Sequence, residues 1–276
     1  MRLAIVGYGN LGKAAHELIK KNTNFELVKI FTRENIDTIT DFREKIDVVL
    51  ICVGSQTDAP LLTPQLSKDF CTVDSFDTHK EMTSYIEQIK KTRGKKCVNI
   101  VGVGWDPGLF SVIRIYLTTL FGAEVQTFWG PGVSLGHTNA IKQISGVKDA
   151  LQFTVPVAKE NRHKRVCHIV ANQDDQERIE WEIKTMPHYF AGTETEVRFV
   201  PRIRKSLKHG GHVIAHDKMS QAQFRLKMKS NPHFTAQIML AYATAAVRLR
   251  NEKKFGVFTV TDIPPKYLVD DAVGLV

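Results

Sequence analysis

The sequence predicts an α/β protein in which a doubly wound, mainly parallel sheet is joined to a second, α+β domain. Over the first 120 residues, apolar strand-like runs alternate with helix-like segments, which is the pattern of consecutive βαβ units. A glycine-rich turn lies between the first apolar run and the first helix-like segment. Beyond about Ala123, short apolar runs separated by polar turns replace the alternation. With 276 residues, the chain is long enough for two domains of ordinary size.

Five apolar runs are predicted to be strands of the first domain. They are continuous, as in VVLICV, which is typical of strands buried on both faces of a sheet. Helices are predicted over Lys13–Lys21 and Lys80–Thr92, and a third from WDPGLFSVIRIYLTTLFG, with Asp106 as its N-cap and Pro107 as its first helical residue. The predicted strands are Leu3–Val6, Leu27–Phe31, Val48–Val53, Cys71–Asp74 and Cys97–Val103.

The change of pattern divides the chain into a first domain over residues 1–122 and a second over 123–230. In the second domain, VQTFWG, QFTVPV, RVCHIVA and EVRFVPRI predict short strands in a more antiparallel sheet. Asn231 and Pro232 then open a long helix that ends near Gly256, and VFTV follows as a strand. We expect residues 231–276 to complete the first domain.

The formal net charge of +9 and the pI near 9.3 suit either a nucleic-acid-binding protein or an enzyme with polyanionic ligands. The basic clusters KKTRGKK, NRHKR and RIRKSLKH lack the interleaved aromatic residues of single-strand binding, so we expect no nucleic-acid partner. The first residues show no cleavable signal pattern and no apolar run is long enough to span a bilayer; we expect a cytoplasmic protein without membrane contact. The cysteines, which occur singly in or beside apolar runs, are expected to be reduced core thiols; they are Cys52, Cys71, Cys97 and Cys167.

The motif GYGNLG, residues 7–12, fits the G-x-G-x-x-G pattern between a strand and a helix. Gly7 permits the tight turn, Gly9 lets the backbone approach a pyrophosphate, and Gly12 lets the helix pack on the strand. The phosphates then meet free amides at the helix N-terminus. This motif predicts a Rossmann-type dinucleotide site, with the whole stretch (Gly7, Tyr8, Gly9, Asn10, Leu11 and Gly12) as candidate cofactor contacts.

The second strand ends in Thr32 and Arg33, at the place where an NAD site usually carries an acid for the ribose 2′-hydroxyl. An arginine with a hydroxyl there accommodates a 2′-phosphate, so the cofactor is predicted to be NADP. Glu34 leaves some NAD binding open. Ser55, Gln56 and Thr57 end the third strand and are further candidate cofactor contacts, as are Pro107 and Gly108.

Three acids lie at the carboxyl ends of two strands of the same predicted sheet. Asp74 and Asp77 lie in VDSFDTH, and Asp106 lies in WDPG. Because the carboxyl ends of such strands open into one crevice, two of these carboxylates are placed to hold a substrate ammonium beside the nicotinamide. His209 and His212 in HGGH lack a nearby third ligand, and their two glycines predict a mobile turn, so no metal site is predicted.

The motifs together resemble the meso-diaminopimelate D-dehydrogenases, a family of NADP-dependent oxidoreductases of bacterial lysine biosynthesis. The resemblance runs nearly end to end through GYGNLG, IFTRE, GSQTD, CTVDSFDTH, GWDPGLFS, TFWGPGVSLGH, TMPHYF, HGGHVI and NPHFTA. It implies reversible oxidative deamination at the D-centre of meso-2,6-diaminopimelate, giving L-2-amino-6-oxopimelate and ammonia. It also implies a homodimer whose second domain serves dimerisation and substrate binding.

The resemblance assigns roles to single positions. Asp77 and Asp106 match the acids that hold the D-centre amine, and Trp129 matches an aromatic residue that shapes the pocket. The remaining substrate-binding matches are Thr154, Arg165 and His209 for a carboxylate, and Asn231 for the distal, L-configured end. Leu135 stands where some members carry glutamine and Glu34 where some carry a second arginine, so wider use of D-amino acids and of NAD stays open.

Two other classes of function remain at this point. A related two-domain NAD(P) oxidoreductase, such as a dihydrodipicolinate-type reductase, would share the fold, although the paired Asp77 and Asp106 favour an amine substrate. A non-catalytic dinucleotide sensor or a basic nucleic-acid-binding protein would account for the charge without needing those acids.

Overall fold

The computed structural model describes residues 1–55, 57–122, 125–130, 132–157, 162–203 and 209–275, with the backbone alone at 132, 133, 135, 156, 162 and 273. The chain forms two compact units. One combines Met1–Val112 with Pro232–Val276, and the other is Ile113–Asn231. Within the described ranges, no helix has the length and apolar character needed to cross a membrane.

The first unit contains a six-stranded sheet in which every pairing is parallel. Its strands are β1 (Arg2–Val6), β2 (Glu26–Phe31), β3 (Val48–Ile51), β4 (Thr72–Asp74), β5 (Val98–Val101) and β13 (Gly256–Thr259). Its helices are α1 (Asn10–Lys20), α2 (Ala59–Leu66), α3 (Met82–Thr92) and α7 (Asn231–Asn251); α4 (Leu109–Phe121) crosses the boundary between the units. The strand order is β13-β5-β4-β3-β1-β2, so β2 and β3 lie on either side of β1.

Alternate residues of β1 enter two different cores, which shows why its apolar run is continuous. Leu3 and Ile5 pack in a cluster with α1 and α7, whereas Ala4 and Val6 pack in a cluster that includes Phe31. Helices therefore cover both faces of the sheet, and the predicted doubly wound α/β class is confirmed. All four cysteines are free and buried, so the prediction of reduced core thiols is also confirmed.

An ion-pair cluster joins the amino end of β1 to α7. Asp47 accepts a hydrogen bond from the backbone amide of Arg2 at 2.8 Å, and its side chain lies 3.1 Å from the Arg2 guanidinium and 3.2 Å from that of Arg250. Burial alone would raise the pKa of Asp47, but the hydrogen bonds from the two arginines outweigh it and lower the pKa to about 2.

The described residues of the second unit form two sheets where the sequence suggested one. A four-stranded sheet has the order β10-β9-β8-β7, and a three-stranded antiparallel sheet has the order β12-β11-β6. The strands are β6 (Gln126–Trp129), β7 (Gly132–Val133), β8 (Val147–Val157), β9 (Arg162–Ala171), β10 (Thr195–Phe199), β11 (His209–His216) and β12 (Gln221–Met228), with helices α5 (Leu135–Lys142) and α6 (Gln176–Thr185). The β9–β10 pairing is parallel, because α6 intervenes between these two strands.

The HGGH stretch is not the predicted turn. It forms the start of β11, where Gly210 pairs with Lys227 and Gly211 with both Leu226 and Trp129. A Cβ on Gly210 would lie 2.1 Å from the Leu226 carbonyl oxygen, so the glycine serves close approach of two strands.

Candidate active site

The glycine turn joins β1 to α1 with the geometry that a pyrophosphate requires. Gly7 has φ +93°, and a Cβ on it would lie 2.6 Å from the Cys52 carbonyl oxygen. A Cβ on Gly12 would lie 2.0 Å from the Gly7 carbonyl oxygen, so α1 approaches the turn as closely as backbone atoms allow. Gly9 caps α1 without a side-chain hydrogen bond, which leaves the first amides of Asn10 and Leu11 for an anion. These residues fit the diphosphate of a dinucleotide.

Tyr8 lies at this turn with about two-fifths of its surface exposed. Its hydroxyl forms a 2.8 Å hydrogen bond with Nδ1 of His16, which ties the exposed side of the turn to α1.

Thr32 and Arg33, the two residues predicted to bind the 2′-phosphate, follow β2, and the side chain of each contacts an acidic residue. The Arg33 guanidinium lies 3.0 Å from Asp58, and its side chain is 87% exposed. The Thr32 hydroxyl donates to Glu34 at 3.2 Å. An exposed ion pair of this kind is worth about 0.2–1 kcal/mol, so Arg33 remains available to a phosphate.

Ser55 and Thr57 lie between β3 and α2. The Ser55 hydroxyl accepts a 2.8 Å hydrogen bond from the backbone amide of Asp77, which links the third and fourth strand ends directly. The Thr57 hydroxyl donates to Asp58 at 3.2 Å. Gln56 lies outside the described residues.

Asp74 is not a substrate-facing acid. Its side chain is fully buried, and it accepts hydrogen bonds from the backbone amides of Phe76 and Gly102 and from the Tyr85 hydroxyl. Burial raises the pKa of Asp74 to about 6, against the opposing effect of these three donors. Of the three acids that the sequence placed at this edge, Asp74 is therefore out of reach of a ligand, and Asp77, which is exposed, and Asp106, which is half-buried, remain as candidates for the amine.

The segment that carries Asp106 corrects a second prediction. Asp106 is not the N-cap of α4 and Pro107 is not its first residue, because α4 begins at Leu109. The Asp106–Pro107 peptide is cis, and Gly108 has φ +133°, which is outside the helical region. A Cβ on Gly108 would lie 1.7 Å from the Gly104 carbonyl oxygen, so the turn closes on itself before the helix begins. Asp106 is thus presented from a tight turn after β5.

In the second unit, Thr154 and Arg165 face each other across β8 and β9. The Arg165 guanidinium donates to the Thr154 hydroxyl at 2.6 Å, while its buried Nε has no hydrogen-bond partner. Burial lowers the pKa of Arg165, so the surroundings disfavour its charge. No carboxylate pairs with it among the residues that the structure describes. A guanidinium held in this way fits the carboxylate of a ligand.

Two histidines near Arg165 are held neutral. Burial, followed by the charge of Arg165, lowers the pKa of His137 to about 4, and the same two causes lower the pKa of His163. The positive charge at this place is therefore concentrated on the guanidinium.

Trp129 and His209 lie on adjacent strands of the three-stranded sheet, β6 and β11. His163 on β9 accepts a 2.9 Å hydrogen bond from the backbone amide of Trp129, and the two rings lie 4.8 Å apart. His209 is half-buried, and burial lowers its pKa. Asn231 is the first residue of α7, at the end of this unit.

Sequence reasoning missed the roles of Asp74, Asp58 and His163. For Asp74, the apolar run on its N-terminal side was an available sign of burial. The contacts of Asp58 and His163 join distant parts of the chain, and no local pattern indicates them.

A parallel sheet with a phosphate-cradling glycine turn, joined to an α+β unit with a half-buried arginine, defines the class of Rossmann-type NAD(P)-dependent oxidoreductases. Comparisons with known proteins narrow this class. The chain is 41% identical to the meso-diaminopimelate D-dehydrogenase of Acetivibrio thermocellus over 97% of this chain and 94% of that protein, and 36% identical to that of Corynebacterium glutamicum over 99% and 98%. The chain belongs to the meso-diaminopimelate D-dehydrogenase family, and the predicted resemblance is confirmed.

Other comparisons agree. Residues 104–230 match the family model of the diaminopimelic acid dehydrogenase C-terminal domain. The structure of the C. glutamicum DAP dehydrogenase in complex with DAP has a TM-score of 0.91 and 34% identity, covering 99% of this chain and 97% of that one. An engineered D-amino acid dehydrogenase bound to NADP+ has a TM-score of 0.87 and 34% identity at the same coverage of both chains. A dihydrodipicolinate reductase from Paenisporosarcina is only 12% identical at a TM-score of 0.50, over 94% and 97%, which shows likeness of fold alone.

Proposed function

We propose that this protein is an NADP-dependent meso-diaminopimelate D-dehydrogenase. It oxidises the D-centre of meso-2,6-diaminopimelate with NADP+ and water, and it releases L-2-amino-6-oxopimelate, ammonia, NADPH and a proton. The observation that carries the proposal is the 41% identity to a meso-diaminopimelate D-dehydrogenase over 97% of the chain. The chemistry of the assigned residues supports it, since ammonium groups of the substrate suit acids such as Asp77 and Asp106, and its carboxylates suit a guanidinium such as that of Arg165.

Residues of the first unit would hold the cofactor. The amides at the start of α1 and the space above Gly9 receive the diphosphate, and Thr32 with Arg33 receive the 2′-phosphate, with Ser55, Gln56, Thr57, Pro107 and Gly108 as further contacts. NADP+, when bound, accepts the hydride from the D-centre carbon.

Asp77 and Asp106 orient the D-centre amine in this proposal. Both follow strands at the carboxyl edge of one sheet, where Ser55 fixes the backbone of Asp77 and the tight turn fixes Asp106. Their carboxylates accept hydrogen bonds from the ammonium group and help remove the proton that must leave before the C–N bond gains double-bond character. Water then attacks the resulting imine carbon and ammonia departs.

The second unit supplies the carboxylate contacts. Arg165 has unused donors beside the one bonded to Thr154, and His209 and Asn231 complete the assigned set. Trp129, with its backbone held by His163, gives the pocket an aromatic wall. Fixing both ends of the substrate holds the reacting carbon in one orientation, which is the chief contribution of such binding groups.

We also propose that the protein is a cytoplasmic homodimer. α4 bears large apolar side chains that face solvent, with Leu120 75%, Tyr116 52% and Ile115 51% exposed. A patch of this kind on one helix is typical of an interface. The four free thiols suit a reducing compartment.

The test is to follow NADPH formation by its absorbance with meso-, LL- and DD-diaminopimelate and a panel of D-amino acids. Turnover of the meso isomer and inertness of the LL isomer are expected, and no turnover of the meso isomer would refute the proposal. Turnover of D-amino acids would indicate a broader enzyme, a possibility raised by Leu135, whose side chain lies outside the described part. Replacing Arg33 by alanine should raise the KM for NADP+ more than that for NAD+; equal effects would remove Arg33 from the phosphate site.

A further inference from the structure

The ends of β4 and β5 carry the two acids assigned to the substrate amine, and one buried carboxylate connects these ends. Oδ1 of Asp74 accepts hydrogen bonds from the Phe76 amide at 3.0 Å and from the Gly102 amide at 3.1 Å. Phe76 immediately precedes Asp77, and Gly102 lies at the start of the segment that leads to Asp106. A single oxygen atom thus bridges the two loops.

Two further contacts lie at the same junction, neither of them made by Oδ1. The backbone carbonyl of Asp74 accepts a 2.8 Å hydrogen bond from the amide of Val103. Oδ2 of Asp74 accepts a 2.8 Å hydrogen bond from the Tyr85 hydroxyl, and the Tyr85 ring stacks on Phe76 with centroids 4.0 Å apart. The side chain of Asp74 is wholly inaccessible to solvent, so it cannot itself touch the substrate.

A buried carboxylate has a desolvation cost that a purely structural position does not require. Desolvation disfavours its charge, and an apolar residue at the end of a strand would avoid that cost. A carboxylate or amide oxygen can accept hydrogen bonds from two backbone N–H groups of different loops at once, and an apolar side chain cannot.

We propose that Asp74 is a positioning residue of the active site, whose Oδ1 sets the spacing of the loops that present Asp77 and Asp106. The inference rests on the proposed function for the roles of those two acids. Because the role belongs to the acceptor oxygen and not to the charge, asparagine is expected to substitute for Asp74, whereas an apolar residue is not.

The central comparison is between Asp74→Leu and Asp74→Asn. Leucine fills the space without an acceptor and leaves the Phe76 and Gly102 amides unpaired, so the loops shift. A misplacement of about 1 Å can cost on the order of 100-fold in rate, and we expect a loss of that size in kcat for meso-diaminopimelate with an unchanged Kd for NADP+. Asparagine retains Oδ1, and Asp74→Asn should recover most of the lost kcat.

Two matched controls separate positioning from general loss of stability. Thr72→Val breaks the buried 2.9 Å hydrogen bond from Asn99 to Thr72, which joins the same two strands away from the acids. It should lower the melting temperature and leave kcat unchanged. Tyr85→Phe removes only the Oδ2 contact and should likewise preserve kcat. Asp74→Ala, which removes the same acceptors without added bulk, replaces Asp74→Leu if the latter does not fold.

The outcomes separate this inference from the proposed function. If the wild-type protein does not turn over meso-diaminopimelate, the proposed function fails. If the wild type is active and Asp74→Leu or Asp74→Ala has the same kcat as the wild type, the positioning role is overturned. It is also overturned if Thr72→Val lowers kcat as much as the Asp74 variants do. A failure of Asp74→Asn to recover activity would show that the charge is needed, which also contradicts the proposal.

Discussion

Replacing Arg165 by methionine should impair substrate use without weakening the fold. Arg165 donates to Thr154 through Nη1, which leaves its other terminal N–H groups for a ligand carboxylate. A hydrogen bond to a charged group contributes about 1.5–3 kcal/mol, so the loss of two such bonds costs at least about 3 kcal/mol, or roughly 100-fold in kcat/KM. The loss should appear mainly in KM for meso-diaminopimelate, because the contact exists in both ground and transition states.

The thermal stability of Arg165→Met, unlike its activity, should not fall. Since burial disfavours the charge of Arg165, an uncharged side chain of similar length removes a desolvation cost from the folded state. We therefore expect the melting temperature of Arg165→Met to equal or exceed that of the wild type.

The assay measures initial rates against meso-diaminopimelate at saturating NADP+, together with thermal melting. Arg198→Met is a matched control, because Arg198 lies in β10 of the same sheet and pairs with Glu196 at the surface. That variant should leave both readouts nearly unchanged. An unaltered kcat/KM in Arg165→Met, or a defect confined to KM for NADP+, would refute the assignment of Arg165 to the substrate.

Three more perturbations test other parts of the molecule. Gly12→Ala places a Cβ 2.0 Å from the Gly7 carbonyl oxygen, so the turn must open; calorimetric titration should show much weaker NADP+ binding. Asp47→Asn should lower the free energy of unfolding at pH 7 by on the order of 2 kcal/mol, because the pKa of Asp47 is lowered from 3.8 to about 2. This contribution is complete above pH 4 and is lost as the pH falls toward about 2, so urea titrations of the two proteins should converge in acid. Leu120→Lys should convert the proposed dimer to monomers in sedimentation experiments, whereas Leu61→Lys, at another exposed leucine, in α2, should not.

Each of these has a result that would contradict it. Gly136→Ala, in a helix with nothing within 4 Å of the new Cβ, is the control for Gly12→Ala, and equal effects on NADP+ binding would count against the glycine turn. A pH-independent difference between wild type and Asp47→Asn would show that the ion pair is not the source of the stabilisation. A dimer that survives Leu120→Lys would place the interface elsewhere.

Local sequence was sufficient wherever neighbouring residues act on one another. The glycine turn is one case, since the positive φ of Gly7 and the contact of Gly12 with the Gly7 carbonyl oxygen both lie within six residues of chain. The doubly wound sheet is another, because a continuous apolar run such as VVLI has to be covered on both faces. Thr32 and Arg33, which follow β2, likewise predicted NADP without any knowledge of their contacts.

Only the tertiary structure showed the roles of residues whose contacts come from distant segments of the chain. Asp74 and Asp77 are both acids at the carboxyl end of β4, and only the contacts of Asp74 with Gly102 and with Tyr85 of α3 distinguish the buried carboxylate from the exposed one. The sequence WDPG suits a helix cap, yet the contact of Gly108 with Gly104 moves the start of α4 to Leu109.

Local sequence patterns also could not predict the hydrogen-bond and ion-pair partners of Arg165 and Arg33. Arg165 meets Thr154 through the register of β8 and β9, and Arg33 meets Asp58 across two βα turns. Whether a charge is satisfied or left for a ligand depends on burial and on these through-space neighbours, because the energy of a charge is set by the medium and the groups around it rather than by its position along the chain.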